Sequence, residues 1–249
     1  MTAILIVTAV AAERDAVLAG QSSAVGMIEG IEVHRASVGA GLLDVIAGGV
    51  GPVASAVATG CALRHGYDLV LSAGIAGGFP RASIGSVAVA DAVVHADLGA
   101  DGPDGFTSMA DLGWGAVRFP VRGGLVRQLA ERSGGIVGDV LTVSTVTGTR
   151  TQADEMLLRY PDAVAEAMEG AGVRAAAERA GVPFAEVRTI SNPVGPRERD
   201  RWRIGDALAA LTVAVAGICA EPLDLEPADA RWADFAEPEV FALSDKENP

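Results

Sequence analysis

The chain has 249 residues, half of them hydrophobic, and its 32 acidic and 19 basic side chains leave a net charge of -13. The apolar fraction rules out a disordered chain, the length suits one large α/β domain with a sizeable core, and the shortage of cations argues against a nucleic-acid partner. The charge is uneven: Glu221–Pro249 carries nine acids against Arg231 and Lys246, a net -7, which leaves -6 for the first 220 residues.

The apolar start has no basic residues ahead of it, and Glu13-Arg14-Asp15 follows at once. This predicts a strand over Ala3–Val10 buried on both faces rather than a signal peptide, with a helix over Ala11–Ala19. Ile31–Val38 and Leu43–Ala47 read as strands. The uncharged run from Val45 to Leu63 imitates a membrane span, but Gly48-Gly49-Val50-Gly51-Pro52 divides it into strand, turn and a helix reaching about Arg64. Leu69–Ala73 predicts a strand ending in a glycine-rich turn, Gly74–Gly78, and Ser86–Val94 another strand. Asp97–Gly115 reads as a long loop. Val121–Arg132 predicts a helix, Ile136–Ser144 a strand, and Gln152–Arg159 a helix stopped by Pro161. Gly170–Ala180 follows as a helix, Phe184–Ile190 as a strand and Ile204–Ala220 as the last helix.

This alternation predicts a single α/β domain over residues 1–220, with a central mostly parallel, mixed sheet flanked by helices. An acidic, Pro-containing tail over 221–249 follows, where Trp232, Phe235 and Phe241 offer anchors to the body or to a partner subunit. Cys61 and Cys219 make no disulfide framework and suggest a reducing, cytoplasmic setting. His34, His65 and His95 lack ligand spacing, so neither a metal nor a cofactor is expected.

Several polar groups stand directly after apolar strands, at the sheet edge where α/β folds bind ligands. Glu13 is one; taken alone it reads as a charge favouring a helix N-terminus. Glu169 in Ala167-Met168-Glu169-Gly170 has the same plain reading. Ser191-Asn192 reads as a turn or cap. Gly49-Val50-Gly51-Pro52-Val53-Ala54 fits G-x-G-x-x-G/A, yet it is not in the first βα unit and reads better as a tight turn before a helix than as a nicotinamide site.

These pieces, taken in order, resemble the nucleoside phosphorylase/nucleosidase family over about residues 3–217. They are Thr8-Ala9-Val10-Ala11-Ala12-Glu13, the Gly49–Ala54 stretch, Ser72-Ala73-Gly74-Ile75-Ala76-Gly77-Gly78-Phe79, Ile84-Gly85-Ser86-Val87-Ala88-Val89-Ala90-Asp91, Ala167-Met168-Glu169 and Arg188-Thr189-Ile190-Ser191-Asn192. The resemblance is to the branch holding 5'-methylthioadenosine/S-adenosylhomocysteine nucleosidases and futalosine hydrolases. It implies a nucleoside phosphorylase-like fold and N-ribosidic bond cleavage. Glu13 would be the base that activates water, Glu169 the acceptor for ribose hydroxyls, Met168 a wall against the sugar, and Ala76 and Gly77 the border of the base pocket. The aromatic that stacks on the base in adenine-cleaving relatives has no counterpart near Val146 and Thr147, which leaves Phe79 or Phe106 as substitutes. Ala167 stands where those relatives carry a carboxylate, with Glu166 adjacent.

Of the cations only Arg14 adjoins Glu13, which favours hydrolysis over phosphorolysis. Asn192 replaces the relatives' Asp. Its carboxamide accepts from a protonated N7 and donates to a 6-oxo group, so the resemblance implies a 6-oxopurine nucleoside. The stretch Ile190–Arg197 is similar to futalosine hydrolases, whose substrate carries hypoxanthine and belongs to menaquinone biosynthesis. Arg197, Arg199, Arg201 and Arg203, gathered around Trp202, are interleaved with acids and read as a solvated, salt-bridged loop; alternatively one, Arg197, binds the carboxylate of a 5'-aryl substituent. A methylthioadenosine-type nucleosidase, a 6-oxopurine phosphorylase and a non-catalytic nucleoside- or NAD-binding domain are the competing readings. The expected partner is a small purine nucleoside, with no nucleic acid or membrane, in a homo-oligomer.

Overall fold

Alternating side chains decide where the first strand lies. In the computed structural model, which describes residues 2–39, 41–103 and 105–225, β1 (Ala3–Thr8) sends Ile4 and Ile6 into one core and Leu5 and Val7 into another. A strand of uniformly apolar residues is stable only when both faces are covered. Helices supply the cover. α1 (Ala11–Val17), α3 (Gly123–Ser133) and α6 (Ile204–Cys219) pack on the first face, with Val17, Leu125, Leu129, Leu211 and Val215 among the contacts. α2 (Pro52–Ala62) and α5 (Gly170–Arg179) pack on the other through Ala58, Ala62, Val173 and Ala177. In α6 the buried positions Ala207, Leu211, Ala214, Val215 and Ile218 form one helical stripe.

The remaining strands are β2 (Ser23–Ile28), β3 (Ile31–Val38), β4 (Gly41–Ala47), β5 (Leu69–Gly78), β6 (Val87–His95), β7 (Gly99–Gly102), β8 (Gly105–Ser108), β9 (Arg118–Pro120), β10 (Ile136–Thr142), β11 (Ala163–Ala167) and β12 (Phe184–Pro193). α4 (Arg150–Arg159) lies between β10 and β11. The main sheet runs β11-β10-β6-β12-β5-β1-β4-β3-β2, with β9 beside β6. β1 pairs parallel with β4 and β5, β12 parallel with β5, and β10 parallel with β6 and β11. β12 and β6 are antiparallel, as are β11 and β5. That last pairing joins the two ends of the run β11-β10-β6-β12-β5 into a closed ring.

The mixed α/β sheet flanked by helices is the predicted class, and several boundaries differ. Gly74–Gly78 is not a turn: β5 continues through it, because its residues are shared by β12 on one side and β11 on the other. Ser191 and Asn192 likewise lie inside β12 rather than after it. Asp97–Gly115 contains the β7–β8 hairpin. β2 escaped prediction because five of its six residues are exposed, so no burial alternation marks it. Val45–Leu63 divides as expected, with Pro52 opening α2. The anchors Trp232, Phe235 and Phe241 lie outside the described residues. Among the described residues no helix is long and apolar enough to cross a membrane.

Candidate active site

Glu13 is the third residue of α1, and the chain turns back on itself so that its carboxylate is 3 % exposed. Oε2 accepts from the N–H groups of Ala9 (2.8 Å) and Val10 (3.3 Å), and Oε1 accepts from Ile75 (2.8 Å). The first two donors are otherwise orphaned amides at a helix start, and the third belongs to β5. One carboxylate therefore ties the end of β1 to its neighbouring strand.

Glu169 precedes α5 and accepts from the N–H of Gly51 (3.2 Å) at Oε1 and from Arg188 Nη1 (3.1 Å) at Oε2. Gly51 has φ +92°, a conformation that favours glycine and here aims its amide at the carboxylate. The glycine motif before α2 thus serves an acid of the chain itself. Arg188, fully buried in β12, also donates through Nε to Glu186 Oε1 (2.8 Å) and through Nη2 to Ser72 Oγ (2.9 Å). Burial works against its charge, and the carboxylates of Glu186, Glu169 and Glu13 overcome it, holding the guanidinium above its ordinary range. Burial pushes the Glu186 carboxyl up, and Glu169 adds to this; among the described residues Glu186 Oε2 has no hydrogen-bond partner in the protein. The guanidinium is bonded to Glu169 and acts on Glu13 through its charge alone.

Those acids open onto a cavity of about 460 Å³. Of the residues expected at a site, Glu13, Ala76, Gly77, Val146, Thr147, Met168, Glu169, Ser191, Asn192 and Arg197 all line it. Phe79 does not. Its side chain is 2 % exposed and packs with Val94, Leu141, Val143 and Met156, on the core side of the strand end. Phe106 instead lies under the Arg159 guanidinium, 4.6 Å from its ring centroid. Neither phenylalanine lines the cavity; the aromatic among the lining residues is Trp202.

Also on the cavity wall, Ser191 Oγ donates to Asn192 Oδ1 (2.8 Å), and Asn192 Nδ2 donates to the Pro193 carbonyl (2.9 Å). Glu166 was missed as a lining residue. It is 7 % exposed and accepts the Thr147 N–H at Oε1 (2.9 Å) and the Thr147 hydroxyl at Oε2. Burial pushes its carboxyl up, against the two Thr147 bonds. Sequence offered one signal for Glu166, Glu186 and Arg188: each is a charged residue within an apolar strand, where burial demands a partner.

The arginine loop divides in two. Arg201 pairs with Glu198 and Arg203 with Asp206, as a salt-bridged loop would. Arg197 and Arg199 each approach the Trp202 ring at 5.8 Å, and both line the cavity. Arg14 turns away from the cavity to Glu32 (2.7 Å) and Asp15.

The sequence profile of the phosphorylase superfamily matches residues 4–221. A futalosine hydrolase of Streptomyces coelicolor is 50 % identical over 221 residues, covering 85 % of this chain and 93 % of that protein. One from Acidothermus cellulolyticus is 47 % identical over 220 residues, covering 86 % and 89 %. Among solved structures, an S-adenosylhomocysteine nucleosidase from Streptococcus pyogenes superimposes with a TM-score of 0.78 at 21 % identity, covering 88 % of this chain and 96 % of that one, a likeness of fold. On the profile match and on identities near one half, the chain belongs to the phosphorylase superfamily.

Proposed function

We propose that this protein hydrolyses the N-ribosidic bond of a 6-oxopurine nucleoside, futalosine, releasing hypoxanthine. The observation that carries the reading is one cavity lined both by two buried carboxylates, Glu13 and Glu169, and by the hydrogen-bonded Ser191–Asn192 pair. Identity of 50 % and 47 % to futalosine hydrolases over most of the chain supports the substrate.

The chemistry follows from those groups. Glu13 takes a proton from water, whose oxygen attacks C1' of the ribose. The C1'–N9 bond breaks, its electron pair leaves with the purine, and N7 takes up a proton from solvent water as the base departs. Positive charge builds on the sugar beside carboxylates held by fixed N–H and guanidinium donors, so little reorganisation accompanies the transition state. Glu169 accepts the ribose hydroxyls and Met168 packs against the sugar. Ala76, Gly77, Val146 and Thr147 border the base. Asn192, steadied by Ser191, accepts from N7–H and donates to O6. Arg197 pairs with the carboxylate of the 5'-aryl group.

Arg14 is engaged elsewhere and Arg188 is held by two glutamates, so among the described residues the cations lining the cavity are Arg197 and Arg199, beside Trp202. This supports water over phosphate as the nucleophile. The protein also self-associates: Val53 and Val57 are exposed on one face of α2, and Val50, exposed just ahead of the helix, belongs to the cavity wall.

Hypoxanthine release from futalosine, inosine and methylthioadenosine, with and without phosphate, tests the reading. Futalosine should be preferred without any phosphate requirement, and Glu13→Gln should lower kcat by about a thousandfold or more while leaving substrate binding intact. Preference for methylthioadenosine would overturn it.

A further inference from the structure

Glu166 is a buried acid on the cavity wall to which the reaction above assigns no part. Its place in the sheet is specific. In the antiparallel β11–β5 pairing Glu166 stands opposite Gly77, and in the parallel β12–β5 pairing Asn192 stands opposite the same Gly77. The three residues lie abreast, and all three line the cavity. Adjacent strands are about 4.8 Å apart, which puts the Glu166 and Asn192 backbones roughly 9–10 Å apart, with a glycine on the strand between them and the Val194 methyl packed over it as an apolar floor. A planar base lying over Gly77 would meet the Asn192 carboxamide at one edge and the Glu166 carboxyl at another.

We propose that Glu166 is a second base-reading residue, whose carboxylate accepts the N1–H of a 6-oxopurine while Asn192 reads the N7 and O6 edge. This rests on the nucleoside reading of the cavity and deepens it. A 6-oxopurine is a lactam and carries a hydrogen on N1; adenine has a lone pair there. Each Glu166 oxygen accepts one bond from Thr147 and retains a second acceptor position. The Thr147 bonds also fix the rotamer, so the carboxylate cannot swing away from the wrong base. Adenine would set one acceptor against another in a closed site, in addition to its mismatch at Asn192. An unmatched buried polar pair of this kind changes selectivity on the order of 10- to 100-fold.

The test compares futalosine with its counterpart carrying adenine on the same sugar, using wild type, Glu166→Gln and Glu166→Asp. Glutamine keeps an oxygen for the Thr147 N–H and presents an amide that donates to adenine N1; aspartate keeps the charge but withdraws it by one methylene. The ratio of kcat/KM for the hypoxanthine over the adenine substrate should fall on the order of 10- to 100-fold in Glu166→Gln, by loss on one substrate and gain on the other. It should fall in Glu166→Asp through loss on the hypoxanthine substrate. Calorimetric titration of free hypoxanthine and adenine should show the same change of ratio, independently of turnover. If both substrates slow equally and the base-binding ratio is unchanged in both variants, Glu166 supports the wall without reading the base, and the proposal falls. If wild type binds neither base and cleaves neither substrate, the nucleoside reading fails first and takes the proposal with it.

Discussion

A methyl group added at Gly74 would lie 2.6 Å from Glu13 Oε1 and 2.9 Å from Arg188 Nη1, so this strand residue sets how closely the acid and the guanidinium approach β5. Gly74→Ala should therefore displace Glu13 while the fold survives. Displacements of about 1 Å in a reacting group cost roughly 100-fold, and that loss is expected in kcat/KM, with the circular dichroism spectrum unchanged. At this scale the sequence was informative where an acid or amide follows an apolar run: Glu13, Glu169 and Asn192 are all found at the cavity. It was uninformative about direction. Phe79 ends the same run as Ala76 and Gly77, but nothing in a one-dimensional pattern says to which side an aromatic at a strand's end will turn.

Strand β12 carries Glu186 and Arg188 two positions apart, hence on one face, with Glu169 and Ser72 completing the set. Removing the cation would leave two buried carboxylates unmatched. Arg188→Met is expected to cost about 3–5 kcal/mol of stability, read from urea midpoints, and to lower activity by loosening Glu169. Across β5 from it in the ring, β11 holds Glu166, whose folded-state carboxyl is raised chiefly by burial and further by Asp97. A group raised on folding contributes stability fully below its ordinary value, here 4.5, and loses that contribution as pH climbs through the raised one. Melting temperatures between pH 4.5 and 8 should show Glu166→Gln gaining on wild type as pH rises. Pattern reading found the long buried strands and most helices because burial on two faces leaves continuous apolar runs. It missed β2, which is exposed, and it mistook the end of β5 for a turn, because five residues with three glycines look like a break until two flanking strands are seen to need them.

For the whole molecule, the net charge of -13 misdescribes the cavity, whose mouth carries Arg197 and Arg199. An acidic average is compatible with an anionic small substrate even though it argues against a polyanion. The exposed valines of α2 belong to this scale too. If a second copy covers them, Val53→Glu should turn a dimer or larger assembly into a monomer by sedimentation. The closed ring could not be read from the sequence at all, since it depends on two residues of β11, Ala165 and Glu166, meeting Gly78 and Gly77 more than eighty positions away.

That meeting of β11 with β5 has a consequence for how such a protein diversifies. A sheet with a free border can widen a pocket by letting its outermost strand slide or peel, but a hoop has no outermost strand. Glu166, Gly77 and Asn192 are spaced by hydrogen-bonded ladders on both sides, so the gap we propose for the base is a fixed gauge. Change of preferred base in descendants of this chain must then be written in side chains at these positions, one letter at a time, on a frame that does not dilate.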